Sequence, residues 1–388
     1  MLTIVIPTRD RPGQLARTLR EIERLGAAAF EPLGGAEVIV ADNRSKFPVT
    51  APALIGGGIP VRVLHRRTNE AAAARNACAL AACSQERGDW LLMLDDDSAP
   101  TDAGFVEELL SVPHEVGAVC AEIHLESGER ESGGLPEVPI GCGVAIRTGL
   151  FNELGGYDPS FHYYVEEYDL AAKMILAGWR IAFSSDFRVL HRKDQSGRNM
   201  DAILRSLVRN NAWVAQRYAP DGVLEWVLDE TVERYRRIAE REGALSGYEV
   251  GLAELRETLD AQARTPMTDD QYDRFTGLAA TREHLGRVLT NPSEPVWFGM
   301  PGGAAPGKNA WAIGRVLREM KLEVADDPRE ASVVIPGTLS PGPMLDAAER
   351  LRQSHRTPQT GDDGDSRVRV ELGWDARRSL ARASAARP

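Results

Sequence analysis

Short apolar runs alternate with helix-patterned segments through the first half of this chain, and that alternation restricts the fold more than any other feature. LTIVIP (2–7), AEVIVADN (36–43), IPVRVLHR (59–66) and DWLLMLDDD (89–97) read as strands. RPGQLARTLREIERLG (11–26) reads as a helix with Leu15, Leu19, Ile22 and Leu25 on one face, and EAAAARNACALAAC (70–83) as another. Strands separated by helices at this spacing imply a mostly parallel, twisted sheet covered on both faces. Ligands of such sheets bind beyond the carboxyl ends of the strands, where Asp42 and the cluster Asp95, Asp96 and Asp97 stand.

The texture changes after residue 200. Segments such as DGVLEWVLDETVERYRRIAE predict a helical region over 216–290, following a first domain of residues 1–215. PVWFGMP, NAWAIGRVLREMKL and EASVVIPGT then predict a small α/β unit over 291–352. Residues 353–388 lack lasting periodicity and are expected to form a disordered tail. PGGAAPGK (301–308) approaches a phosphate loop but fails it, because Asn309 follows Lys308 where Ser or Thr is required; a plain Gly/Pro loop is expected.

Composition limits the function classes. A net charge of −11 argues against nucleic acid or an anionic membrane as partner. No run reaches the roughly 18 apolar residues of a membrane helix, and the N-terminus does not read as a signal peptide. Cys78, Cys83, Cys120 and Cys142 lack zinc-site spacing and read as core thiols of a cytoplasmic protein.

The aspartates raise the chemical question. Like charges side by side repel, so the cluster is either a solvated turn or the seat of a cation. In extended chain Asp95 and Asp97 would point to one side. A hard cation such as Mg²⁺ or Mn²⁺ takes one or two carboxylates and completes its shell with phosphate oxygens and water. Farther on, the acidic run VEEYDL (165–170) precedes a helix pattern, and His191 ends the apolar stretch FRVL. Each has a plain structural alternative: a helix-dipole effect for the acids and a structural role for the histidine.

Seven segments occur in an order that resembles the family 2 glycosyltransferases: TIVIPTRDRPGQLARTL, EVIVADNRS, NEAAAARNACALA, WLLMLDDDSAP, GCGVAIRTGLFNELGGYDPSF, EEYDLAAKMILAGWRI and VLHRK. Together they cover roughly residues 2–215. The resemblance implies a GT-A fold and inverting transfer of a sugar from a nucleotide-diphosphate donor, UDP-, dTDP- or GDP-linked, to the hydroxyl of a discrete acceptor. It also implies Mn²⁺ or Mg²⁺ as cofactor.

Site roles follow from the same resemblance. Pro7, Thr8 and Arg9 would form the lip of the nucleotide pocket. Asp42 would take a hydrogen bond from the base, an Asx-turn or helix cap being the alternative. Arg75 and Asn76 would face the base or diphosphate. Asp97 is the expected main metal ligand, with Asp95 on the ribose or metal, Asp96 in the nucleotide-sugar site and His191 reaching the metal. Inverting transfer needs a base for the acceptor proton, and by position this is Glu167, with Glu166 beside it in the acceptor site. GCGVAI would bring backbone close to the donor sugar. The second half is expected to dock the acceptor or form a homodimer. Competing classes are a sugar-phosphate nucleotidyltransferase, whose glycine-rich opening loop is missing here, and a catalytically silent nucleotide-sugar binding module.

Overall fold

The structure is a computed structural model that describes residues 1–82, 89–193, 199–355 and 368–377. Its first part contains strands β1 (Leu2–Thr8), β2 (Ala36–Asp42), β3 (Leu54–Ile55), β4 (Ile59–His65), β5 (Trp90–Met93), β6 (Ser98–Pro100), β7 (Val116–Leu125), β8 (Val144–Arg147) and β9 (Arg180–His191). Helices α1 (Pro12–Leu25), α2 (Ala74–Ala81), α3 (Phe105–Leu110), α4 (Thr148–Glu153) and α5 (Glu166–Leu176) lie between them. The strands form one sheet in the order β3-β4-β2-β1-β5-β8-β7-β9-β6. The α/β class expected from the alternation is present. Strands β4-β2-β1-β5 run parallel, as do β7 and β9, and β8 runs antiparallel to both β5 and β7.

The period of two along β1 explains why both faces are covered. Leu2, Ile4 and Ile6 enter a core with Leu15, Leu19 and Ile22 of α1. Val5 enters a second core with Ala74, Cys78 and Ala79 of α2. Pro12 sits in the first turn of α1, where its missing N–H costs nothing. Cys78, Cys120 and Cys142 are buried free thiols, as expected; Cys83 lies outside the described residues.

The helical region comprises α6 (Met200–Tyr218), α7 (Leu224–Glu242), α8 (Leu245–Thr258), α9 (Asp269–Thr276) and α10 (Leu278–Val288). The expected break after residue 215 falls inside α6, which packs against α5, α7 and α8. The last unit holds β10 (Val296–Gly299), α11 (Ala310–Glu319), β11 (Val333–Pro336), α12 (Pro341–Ser354) and β12 (Arg369–Val370), with a parallel sheet β10-β11-β12. Arg130 ties it to the first domain through Asp346, 2.6 Å away.

The expectation of a disordered tail fails over 368–377. There β12 pairs with β11, Leu372, Trp374 and Ala376 are buried, and the Trp374 indole donates to the Leu339 carbonyl at 2.9 Å. A two-residue strand is too short to show periodicity, so its partner supplies the order that composition hides. The rest of the tail from 356 lies outside the described residues. Among the described residues, no helix is long and apolar enough to cross a membrane.

Candidate active site

Parallel pairing brings the carboxyl ends of β1, β2 and β5 together. Thr8 stands opposite Asp42, and the Leu94 amide continues the ladder to the Val5 carbonyl at 3.0 Å. Beyond Leu94 the chain turns at once. The Ser98 hydroxyl accepts the Asp95 amide at 2.8 Å, and the Ser98 amide donates to the Asp95 carbonyl at 3.1 Å. The same-side argument for Asp95 and Asp97 therefore fails, because it requires an extended chain. The three carboxylates fan out to their partners, with Asp96 and Asp97 sharing Arg11.

Those partners relieve the crowding. Asp95 pairs with Arg75. Asp96 accepts from the Thr8 hydroxyl at 2.7 Å and from Arg11 at 2.6 Å. Asp97 meets the other Arg11 nitrogen at 2.6 Å and His191 Nε2 at 3.2 Å. Antiparallel pairing of β6 with β9, with Ser98 opposite His191, delivers this imidazole to the turn. Burial opposes the Asp97 charge, yet His191 and Arg11 outweigh it and hold the carboxyl well below its usual range. For Asp96 burial wins over Thr8 and Arg11 and pushes the carboxyl up to about 7. His191 is driven up to about 12, its burial overcome by Asp97, Cys142 and Glu131.

The donor set suits a hard divalent cation. One ligand atom each of Asp95, Cys142 and His191 lie within 4.8 Å of one another, and Asp97 touches the same imidazole. His191 Nδ1 is 2.9 Å from Glu131, the carboxylate–histidine arrangement that fixes a ligating ring. Lys193 in turn pairs with Glu131. Burial pushes the Cys142 thiol up to about 11, and a hard divalent cation prefers the oxygen and nitrogen donors beside it.

On the neighbouring strand the Asp42 carboxylate accepts the Ser45 amide at 2.9 Å, the Val49 amide at 3.1 Å and His65 Nδ1 at 2.9 Å. Burial resists ionisation, but these bonds bring Asp42 down to about 2. Its geometry is that of the Asx-type turn weighed from the sequence. Thr8 is buried on Asp96, Arg9 is exposed and 3.7 Å from Asp10, and Pro7 is half-buried. Asn76 uses both ends of its amide on the Tyr157 backbone, at 2.8 and 3.0 Å. Arg75 is buried and also donates to the Leu94 carbonyl at 3.2 Å. Although burial opposes its charge, Asp95, with Glu166 and Glu167 near, holds the guanidinium above its ordinary range.

The acidic pair opens α5. His162, Tyr164 and Val165 of the approach loop have φ of 62, 70 and 76°, a region that a β-branched valine rarely enters. Asn210 of α6, fully buried, holds the loop there: its side-chain amide donates to the carbonyls of Phe161, Tyr163 and Tyr164 at 3.0, 3.0 and 2.8 Å. Asp169 anchors the same turn to Tyr218 at 2.7 Å, Arg217 at 2.8 Å and Lys173 at 2.7 Å. Glu166 is buried, and one of its oxygens has no protein partner among the described residues. Glu167 is half-buried and accepts the Gly141 amide at 3.1 Å. The close backbone approach of GCGVAI at Gly141 is therefore toward Glu167. Burial pushes both carboxyls up, and the charge of Glu167 raises Glu166 further.

Residues 3–168 match the family model described as Glycosyl transferase family 2. This segment belongs to that family. This chain is 28% identical over 214 residues to a pre-mycofactocin glycosyltransferase of Mycobacterium tuberculosis, a match covering 49% of this chain and 42% of the relative. It is 27% identical over 237 residues to the O-antigen biosynthesis protein RfbC of Myxococcus xanthus, covering 52% and 18%. The chain thus spans less than half the length of these curated relatives. Among solved structures, GalNAc-T7 with UDP, GalNAc and Mn²⁺ aligns with a TM-score of 0.46 at 15% identity, covering 67% of this chain and 57% of that one. The Pyrobaculum calidifontis mannosyltransferase PcManGT with GDP-Man and Mn²⁺ gives 0.43 at 15%, covering 72% and 84%. The family 2 segment ends at Tyr168, so His191, Asn210 and Arg217 act on it from outside.

Arg11, Glu131 and Asn210 stand outside the set of site residues expected from the sequence. Arg11 stands in PTRDRPG, just past the first strand, where a cation facing the strand ends is a reasonable guess. Glu131 precedes the GCGVAI motif and could have been tested as a partner for His191. Asn210 lies in a helix pattern that gives no sign of the loop it holds.

Proposed function

We propose that this chain is an inverting glycosyltransferase that moves one sugar from a nucleotide-diphosphate donor to an acceptor hydroxyl. The observation that carries the reading is the position of Arg75. It pairs with Asp95 of the aspartate turn and lies within electrostatic reach of Glu166 and Glu167, so the donor end and the acidic pair share one cation.

In this reading Glu167 is the base. Its carboxylate is oriented by the Gly141 amide and is half-buried, so one oxygen can meet an acceptor hydroxyl. Its raised pKa suits proton abstraction near neutrality better than an ordinary carboxylate would. Glu166 lies deeper, and the charge of Glu167 raises its carboxyl further. Asp95, Asp97 and, once its Nε2 proton is displaced, His191 would hold Mn²⁺ or Mg²⁺, which when bound supplies positive charge to the diphosphate leaving group. Arg75 and Arg11 orient the three aspartates. Pro7, Thr8, Arg9 and Asp42 would border the nucleotide, with His65 half on the surface beside Asp42. Asn76 serves by fixing α2 to the Tyr157 backbone.

Incubation with labelled UDP-, dTDP- and GDP-sugars, with Mn²⁺ and with EDTA, tests this function. Release of nucleoside diphosphate supports transfer. Pyrophosphate release would point to nucleotidyl chemistry, and binding without turnover to a silent module.

A further inference from the structure

Lys308 closes the glycine-rich loop that failed as a phosphate motif, and it does not face solvent freely. The loop is pinned to the end of β11 by the Gly307 amide, 2.8 Å from the Gly337 carbonyl, and by the Lys308 carbonyl, 2.9 Å from the Leu339 amide. The ammonium donates to the Tyr168 hydroxyl and lies 4.2 Å from the centre of that ring. It thereby reaches a cavity of about 140 Å³ between α6, α7, α9 and the start of α11. Tyr168, Trp226, Tyr235, Tyr272, Phe275 and Trp311 supply aromatic walls. A cavity of roughly 150 Å³ accepts a benzene ring.

The charge in this cavity is unbalanced. Lys308 and Arg234 both line it, and neither has a carboxylate within ion-pair distance among the described residues. Glu230 is the only carboxylate among its lining residues, and it stands 3.7 Å from Arg237 on the same helix. Burial, with Arg234 adding repulsion that the Glu167 charge offsets only in part, brings the Lys308 amine down to about 7. A bound anion would relieve that repulsion. Trp226 and Trp311, whose rings meet edge to face at 6.4 Å, both remain partly exposed at the rim.

We propose that this cavity is a binding site for a small acidic molecule bearing one anionic group on a flat ring, with the anion between Lys308 and Arg234 and the ring among the aromatic walls. The site lies outside the family 2 segment except for Leu135 and Tyr168, and it stands whether or not sugar transfer is the chain's reaction.

Benzoate and phenyl phosphate are the anionic probes, and benzamide is the neutral control. Binding to the full chain is read by tryptophan fluorescence, which Trp226 and Trp311 should report, and by calorimetry. At least one anionic probe should bind, at least tenfold more tightly than benzamide. Arg234→Met should weaken that binding at least tenfold and Lys308→Met likewise, while Asp97→Asn leaves it unchanged. Arg234 is half-buried, so its replacement keeps the test valid if loss of the Lys308–Tyr168 contact impairs folding. Failure of both anions to bind the folded wild type would overturn the proposal. Equal binding of benzamide, or full binding by folded Arg234→Met, would overturn it as well.

Discussion

Glu167 accepts the Gly141 amide at 3.1 Å, and a Cβ added at residue 141 would lie 2.6 Å from that carboxylate oxygen. The backbone at 141 does not need the left-handed region, so alanine is sterically acceptable to the chain itself. The carboxylate must move instead. Gly141→Ala should therefore fold normally and lose about 10²-fold in turnover, the cost of misplacing a catalytic group by about 1 Å. Donor affinity should hold. Steady-state kinetics beside a donor titration distinguishes this from general damage.

In the proposed function Asp97 has the main role at the metal. Asp97→Asn should remove most donor binding, with EDTA producing the same loss in the wild type and Mn²⁺ or Mg²⁺ restoring it. Because Arg11 and His191 both lean on this carboxylate, the variant should also melt earlier. Wild-type activity that persists in EDTA would remove the metal from the reading.

Asp42 gives a pH-dependent stability with a definite sign. Its folded pKa of about 2 lies below the ordinary 3.8, so its contribution is complete above pH 3.8 and fades as pH falls toward 2. Asp42→Asn should be less stable than the wild type at neutral pH by about 1–3 kcal/mol, the cost of stranding buried partners. Urea unfolding at pH 6 and pH 3 should show that gap narrowing in acid. A constant gap would mean the carboxylate charge is not what the loop uses.

Asn210→Asp keeps shape but turns two donors into acceptors facing three carbonyls. The approach loop, strained at Tyr164 and Val165, should lose its hold. Stability should fall by about 1–3 kcal/mol, and turnover should fall with it while nucleotide binding stays. Thermal melts and kinetics on one preparation test both parts.

Much of the architecture was legible because period-two and period-3.6 patterns are local. They gave β1, β2, β4, β5, α1 and α2, and they put Asp42 and the aspartates at strand ends. Partners set by tertiary contact were not legible. The pairing of Arg11 with Asp96 and Asp97, or of Asn210 with Phe161, depends on how distant segments pack. The turn at Ser98 reversed the same-side argument through one hydroxyl. Asn76 shows the limit of carry-over by motif: its position matches, but its amide is spent on Tyr157.

The most direct measurement compares Glu167→Gln and Glu166→Gln with the wild type across pH. Burial raises both carboxyls, so wild-type turnover should climb with pH as the base loses its proton at a value above the ordinary carboxylate range. Glu167→Gln keeps size and the Gly141 contact but cannot take a proton. Turnover should drop by about 10²–10⁴-fold, donor affinity should stay at the wild-type level, and the acidic limb should disappear. Glu166→Gln should stay active and keep the acidic limb near its wild-type position, because the Glu167 charge raises Glu166 and not the reverse. An inactive Glu166→Gln beside a working Glu167→Gln would move the base by one residue; full activity in both would contradict the account.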